Sequence, residues 1–262
     1  RYADINSYRA AKQRIYRGAS VAVCNRADLL THGLHSSGVK QLSFGLGAPD
    51  LGDWGVAEVN GEPYLHCGLE PLLAVHQLPL RGAHNVANAL AALALGGAAG
   101  LERAAMVSAL RAFKGLPHRC ELVAERNGVV YINDSKATNV GAAVAALQGL
   151  AATSGGQLIL LAGGDAKGQQ FTALAAAASG RVKRVALFGR DGGQLATAFA
   201  QTLAPEQISL REQLSEAFAD AVAAAAPGDT VLLAPACASF DQYSGFAARG
   251  EQFRALVLGA AA

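Results

Sequence analysis

Beyond residue 117 the chain alternates between short runs that are apolar at nearly every position and longer stretches with apolar residues at helical spacing. The runs include Val129-Val130-Tyr131-Ile132, Leu158-Ile159-Leu160-Leu161 and Val231-Leu232-Leu233-Ala234. Strands that are apolar on both faces belong in a parallel sheet covered by helices. The pattern predicts strands beginning near 129, 157, 184 and 230, with a weaker one near Ile208. Helices follow from about 139, 170, 192, 212 and 242. That alternation predicts a doubly wound, Rossmann-like α/β domain. Before residue 117 the pattern is mixed. Helical spacing from Tyr8 to Tyr16 leads into short strands at Ser20-Val21-Ala22-Val23-Cys24 and Leu42-Ser43-Phe44-Gly45. A β-hairpin is expected across 56–65, turning at Asn60-Gly61. Helices over 83–97 and 102–113 follow, and Gly115 and Pro117 stop the second. Two domains are therefore expected, 1–115 and 116–262.

Composition narrows the class. The 262 residues are 52% hydrophobic and 16% charged, which suits a well-filled core. A net charge of +2 argues against nucleic acid or an anionic membrane as the main partner. The longest apolar run, 89–101, is too short and glycine-rich to span a bilayer, so no membrane insertion is expected. Cys24, Cys67, Cys120 and Cys237 are scattered without metal-ligand spacing and read as buried thiols in a reducing, cytoplasmic setting. The chain opens on Arg1 and runs directly into a helical pattern, as the remainder of a longer polypeptide does.

Three polar clusters stand where apolar strands end: 133–139 (Asn-Asp-Ser-Lys-Ala-Thr-Asn), 163–168 (Gly-Gly-Asp-Ala-Lys-Gly) and 235–242 (Pro-Ala-Cys-Ala-Ser-Phe-Asp-Gln). Ligands of open α/β sheets bind beyond the carboxyl ends of the strands, so the clusters are expected to share one pocket for a charged small molecule. Asp134 can accept from hydroxyls such as those of a ribose; equally, it can face water while Thr138 or Asn139 caps the next helix. The glycines at 163 and 164 suit a backbone that approaches an anion, with Lys167 adding a point charge, or simply a tight surface turn. Ser239 lacks a nucleophile-elbow motif and is read as a hydrogen-bonding hydroxyl. Cys237 is read as a buried strand-end thiol. Asn85 and Asn88 lie one turn apart on an apolar helix, either for recognition of a base or amide or, for Asn85 above all, as a cap. Lys12 reads from its spacing as part of a solvated face.

Together the segments 8–16, 82–93, 115–119 and 132–139, with the clusters at 163 and 235, resemble the Mur ligases of peptidoglycan synthesis, and among them the D-glutamate-adding branch. The resemblance runs from residue 8 to the last helix. It implies the latter part of a P-loop-type ATPase domain followed by a Rossmann-like domain that binds the incoming amino acid. The chain has no Gly-x-x-x-x-Gly-Lys-Ser/Thr and is expected not to complete the reaction by itself. In such ligases ATP phosphorylates the carboxylate of a UDP-linked substrate, and the amine of the acceptor attacks the acyl phosphate. ATP, magnesium, UDP-N-acetylmuramoyl-L-alanine and D-glutamate are the implied cofactors and partners of a monomeric enzyme.

Matched by position, the resemblance makes Lys12 a lysine that is carbamylated near magnesium. Asn88 would contact adenine, Arg119 phosphate and Asp134 ribose, with Lys136 near the nucleotide and the reaction centre. Lys12, Lys136 and Arg119 would be catalytic. Thr138, Lys167, Ser239 and Phe246 would hold the acceptor, and Phe240 would contribute through its backbone. Two cationic or hydroxyl sites favour a dicarboxylic acceptor, and the Asp-Asn-Pro-Arg signature of diaminopimelate-adding relatives is absent. Other acceptors, including L-glutamate or that of a folylpolyglutamate synthase, stay open, as does a non-catalytic nucleotide- or glutamate-binding module.

Overall fold

A computed structural model describes Tyr2 and residues 4–32, 38–80, 82–151 and 156–259; Arg1, on which the chain opens, lies outside them. The chain divides into two compact units, Arg1–Lys114 and Gly115–Ala262.

The first unit begins with α1 (Ile5–Gln13), whose N-cap Asp4 and Ser7 form a reciprocal capping box. The strands β1 (Val21–Asn25), β2 (Lys40–Phe44), β3 (Trp54–Val59), β4 (Glu62–Cys67) and β5 (Glu70–Ala74) form one sheet in sequence order. The β1–β2 and β2–β3 pairs are parallel and the rest antiparallel. Two helices close the unit, α2 (Ala83–Ala98) and α3 (Arg103–Ala112). One face of α2 buries Val86, Leu90, Leu93 and Ala94 against Trp54, Leu65 and Leu73. The hairpin at Asn60-Gly61 forms as its turn residues predict, with Asn60 at φ +53°. The strand β5 is a finding beyond the sequence pattern; its first two residues, Glu70 and Pro71, hide it.

The second unit holds β6 (Glu121–Arg126), β7 (Val129–Asn133), α4 (Val140–Ala151), β8 (Leu158–Gly163), α5 (Thr172–Ala178) and β9 (Val182–Phe188). After these come α6 (Gly192–Phe199), β10 (Ile208–Leu210), α7 (Leu214–Ala224), β11 (Thr230–Ala236) and α8 (Phe246–Gly259). The sheet order is β10-β9-β8-β11-β7-β6, parallel except for the edge strand β6. Every residue of β8 and β11 is buried, as two-faced apolar runs require. Leu158, Leu160 and Ala162 face the core under α4, α5 and α6, and Ile159 and Leu161 face that under α7 and α8. The helix after β8 thus lies on one face of the sheet and the helix after the neighbouring β11 on the other. Chains that diverge in this way open a crevice at the strands' carboxyl ends, where all three polar clusters stand.

Candidate functional site

The three clusters meet on one buried guanidinium. Arg249, on the inner face of α8, has no exposed surface. Its Nε donates to Ser135 Oγ at 3.0 Å, and Nη2 to the Ser135 carbonyl at 2.9 Å. Nη1 donates to the Gly163 carbonyl at 3.3 Å, and both terminal nitrogens to the Cys237 carbonyl at 3.1 Å. One planar fork thus fastens the loops after β7, β8 and β11, a geometry that a lysine's point charge does not offer. Burial among carbonyls pulls the Arg249 guanidinium down to about 10.

The backbone around this clamp is strained. Among the described residues six non-glycines have left-handed φ. Asn60 and Asn127 sit in Asn-Gly turns, and the other four are His118, Cys120, Lys167 and Ala236, all in the segments that frame the crevice. Such conformations cost of order 1–3 kcal/mol each and collect at functional sites. Two glycines of the 163–168 cluster have a packing task. Gly163 and Gly164 have φ +151° and +124°, and a Cβ there would strike the carbonyl oxygens of Phe188 and Ala238. They let neighbouring backbone pass, and Asp165 exchanges two hydrogen bonds of 2.9 Å with Ala238.

The sequence-derived candidates fall as follows. Asp134 is buried instead of facing water, and accepts the Cys120 N–H at 3.3 Å. Asn139 is the helix cap, accepting the Ala142 N–H at 2.9 Å, which leaves Thr138 half-buried at the loop and out of the cap. The ammonium of Lys136 lies 4.1 Å from the centre of the Phe246 ring, and that of Lys167 lies 5.3 Å from the Phe240 ring. Ser239 is buried, and its carbonyl accepts the N–H groups of Gln242 and Tyr243. Arg119 is exposed, beside the buried His118. Thr138, Lys136, Lys167, Ser239 and Phe240 thus belong to one set of loops, and Phe246 opens α8 against Lys136. Lys12 and Asn88, both exposed, belong to the first unit on α1 and α2. Gly82, not Asn85, occupies the N-cap of α2.

Several residues escaped the motif reading. Asn133, wholly buried, donates to the Gly250 carbonyl at 3.1 Å and to His118 Nδ1 at 3.0 Å. Since Nδ1 accepts, the ring proton sits on Nε2, toward Glu251 Oε1 at 3.5 Å. Arg249 carried a signal: it lies three residues after Phe246 and four before Phe253, where an apolar residue is expected. The turn 189–191 after β9 braces the clusters too. Asp191 accepts the Ala166 N–H at 2.7 Å, and Asp241 accepts that of Arg190 at 3.1 Å. Around them, burial raises the Cys237 and Cys120 thiols to about 12, with Asp134 adding to the effect on Cys120. The Lys167 N–H, then Arg190, hold the Asp165 carboxyl below the usual carboxylate range.

Residues 118–237 match the model of the Mur ligase, glutamate ligase domain. Over 257 residues, 98% of this chain, it is 47% identical to the UDP-N-acetylmuramoylalanine–D-glutamate ligase of Pseudomonas fluorescens. The chain belongs to the Mur ligase family. A second relative of the same name, from Pseudomonas aeruginosa, is 48% identical over 97% of this Mur ligase chain. The chain spans little more than half of these relatives, 57% and 56% of their lengths. Among solved structures, the UDP-N-acetylmuramate-alanine ligase of Thermotoga maritima superposes with a TM-score of 0.69 at 17% identity, over 98% of this chain and 56% of that one. A folylpolyglutamate synthase of Mycobacterium tuberculosis, complexed with ADP and AMPPCP, gives 0.64 at 17% identity, over 93% of this chain and 65% of its own. These distant likenesses establish a shared fold.

Magnesium takes several oxygen ligands at once. Among the described residues no group of three or more His, Cys, Asp or Glu could hold a metal ion, and a carbamylated Lys12 would add one carboxylate-like group. The described residues do not fit a magnesium site on their own. Among the described residues no helix is long and apolar enough to cross a membrane.

Proposed function

We propose that this Mur ligase chain carries the acceptor-binding and part of the nucleotide-binding machinery of a D-glutamate-adding amide ligase. The reaction joins D-glutamate to the carboxylate of UDP-N-acetylmuramoyl-L-alanine at the expense of ATP, through an acyl phosphate, with magnesium as the metal of the full-length protein. The observation that carries the reading is the Arg249 clamp, which ties together the loops of Lys136, Thr138, Lys167 and Ser239 at the strands' carboxyl ends. Two lysines and two hydroxyls on such loops suit an acceptor with two carboxylates.

In this reading Lys167 and Thr138 take one carboxylate and Ser239 the other, with Phe240 contributing through its backbone. Phe246 walls the pocket and steadies Lys136 beneath its own ring. Lys136 and Arg119 offset the negative charge that develops as the acyl phosphate forms and breaks. Asp134 holds the ribose and Asn88 the adenine. Holding the acceptor amine near the activated carbonyl removes much of the entropic cost of the encounter. The free thiols support a reducing compartment, and we place the enzyme in the cytoplasm as a monomer. Lys12 enters as a carbamylated lysine of the first unit.

The chain has no P-loop motif, so the test uses the full-length protein. Supplied with ATP, magnesium and UDP-N-acetylmuramoyl-L-alanine, it should form an amide with D-glutamate and release ADP. Amide formation with neither glutamate enantiomer would sink the proposal. Preference for another acceptor in a panel would move the chain to a sister branch.

A further inference from the structure

Beyond the residues given a part in the reaction, Arg190 stands where the turn carrying Lys167 is held. The N–H groups of Ala166 and Lys167 are each taken by a carboxylate, Asp191 Oδ2 at 2.7 Å and Asp165 Oδ1 at 3.0 Å. Both carboxylates face the same guanidinium. Arg190 Nη2 lies 2.7 Å from Asp165 Oδ1, and Nε 3.7 Å from Asp191 Oδ2. The Arg190 N–H itself donates to a third carboxylate, Asp241, in the loop that follows Ser239. Lys167 meanwhile keeps a left-handed φ of +50°, which persists only when its surroundings over-determine it.

We propose that Arg190 is a positioning residue for the acceptor: through Asp165 and Asp191 it fixes the turn that presents Lys167, and it offsets three carboxylates beside an anionic ligand. The proposal rests on the reading that an acceptor carboxylate meets Lys167. The geometry divides the work into two parts. The Asp165 side chain closes a local turn on the Lys167 N–H, and Arg190 keeps that side chain in place from outside. The same guanidinium cancels negative charge that would otherwise repel a dicarboxylate from Lys167. Removing Arg190 loosens the turn and turns the local field against the ligand. Replacing Asp165 by Asn as well keeps an oxygen for the Lys167 N–H and removes one of the repelling charges.

Steady-state kinetics of the full-length protein tests this, with the acceptor first identified in a panel on the wild type. The Arg190 side chain is 60% exposed, so Arg190→Gln should fold, as a thermal melt would verify. Arg190→Gln should raise the acceptor KM about tenfold, the loss expected for a charge-assisted contact, with kcat and the ATP KM changed less than about twofold. Arg190→Lys should fall between wild type and Arg190→Gln, because it keeps the charge and loses the fork. Asp165→Asn combined with Arg190→Gln should recover part of the lost acceptor affinity. An unchanged acceptor KM in Arg190→Gln, a parallel rise in the ATP KM, or a double variant worse than the sum of the singles would each overturn the proposal. If the wild type prefers an acceptor other than glutamate, the glutamate reading falls, and the KM ratio on the preferred acceptor still decides the role of Arg190.

Discussion

Replacing Arg249 by Met keeps much of the side chain's volume and removes all of its donors. The five hydrogen bonds it gives to Ser135, Gly163 and Cys237 are lost together. Ser135 Oγ retains its own donation to the Phe246 carbonyl at 2.8 Å, so its loss is partial. The Ser135, Gly163 and Cys237 carbonyls lose the partner that Arg249 supplied. Buried groups left without partners cost about 1–3 kcal/mol each, or about 3–9 kcal/mol for three carbonyls. Against this, the wild type bears the desolvation of a guanidinium that is surrounded by neutral acceptors, and Met relieves it. The burial that pulls this group down to about 10 is the sign of that opposing effect. Relief of about 2–3 kcal/mol against a midpoint loss of about 6 kcal/mol leaves a net destabilisation of about 3–4 kcal/mol. For a unit of this size each kcal/mol shifts the melting temperature by roughly 2–4 °C, so the transition should fall by about 10 °C. Urea denaturation followed by circular dichroism measures the free energy directly. A loss below about 1 kcal/mol would refute the reasoning, because desolvation relief would then match the lost hydrogen bonds.

Gly164→Ala puts a Cβ against the Ala238 carbonyl at φ +124°, so urea denaturation should show a loss above about 2 kcal/mol. In the native chain the thiols of Cys237 and Cys120, raised to about 12, should hold about one thiolate per 10⁴ thiols at about pH 8, about 10³-fold less than an ordinary thiol. A disulfide-exchange reagent should therefore reach the half-buried Cys67 before either, and early loss of the Cys237 thiol would contradict the prediction. Because the folded chain holds the Cys237 proton from the ordinary 9 up to about 12, this thiol's contribution is complete below pH 9 and is lost as pH rises to 12. Cys237→Ala should accordingly narrow its stability gap to wild type across that window, and a gap independent of pH would refute the assignment. In the full-length protein, Lys167→Ala should raise the acceptor KM about tenfold or more while sparing the ATP KM. An equal rise in both would remove Lys167 from the acceptor site.

Where one face of an element repeats, the chain was transparent. The two-faced apolar runs at 129, 158 and 231 became the buried central strands β7, β8 and β11 because nothing but a covered parallel sheet satisfies them. Edge strands were harder. The strand β6 has no fully buried residue, breaks its alternation at Val123-Ala124 and is charged at its ends, so its pattern is faint. The Asn127-Gly128 dipeptide does announce its hairpin with β7, as Asn60-Gly61 announces that of β3 and β4. The candidate residues at strand ends were legible as polar breaks in apolar runs. Asp165 and Asp191 were not legible as partners, because the contacts that join Asp165 to Arg190 and Asp191 to Ala166 each bridge 25 residues of chain.

The sequence by itself determined the alternation of strands and helices, the strand ends that carry the polar clusters and the family to which the chain belongs. Periodicity and short motifs are local, and folding leaves them in place. Only the tertiary structure decided what the clusters do to one another. It took the one cation on the buried face of α8, Arg249, and brought it to three loops that lie 12 to 114 residues away in sequence. It also gave Gly163 and Gly164 a packing task, the passage of neighbouring backbone. The reason is physical. A buried guanidinium is tolerated only where several acceptors converge on it, and convergence depends on the order of strands in the sheet, which no local pattern records.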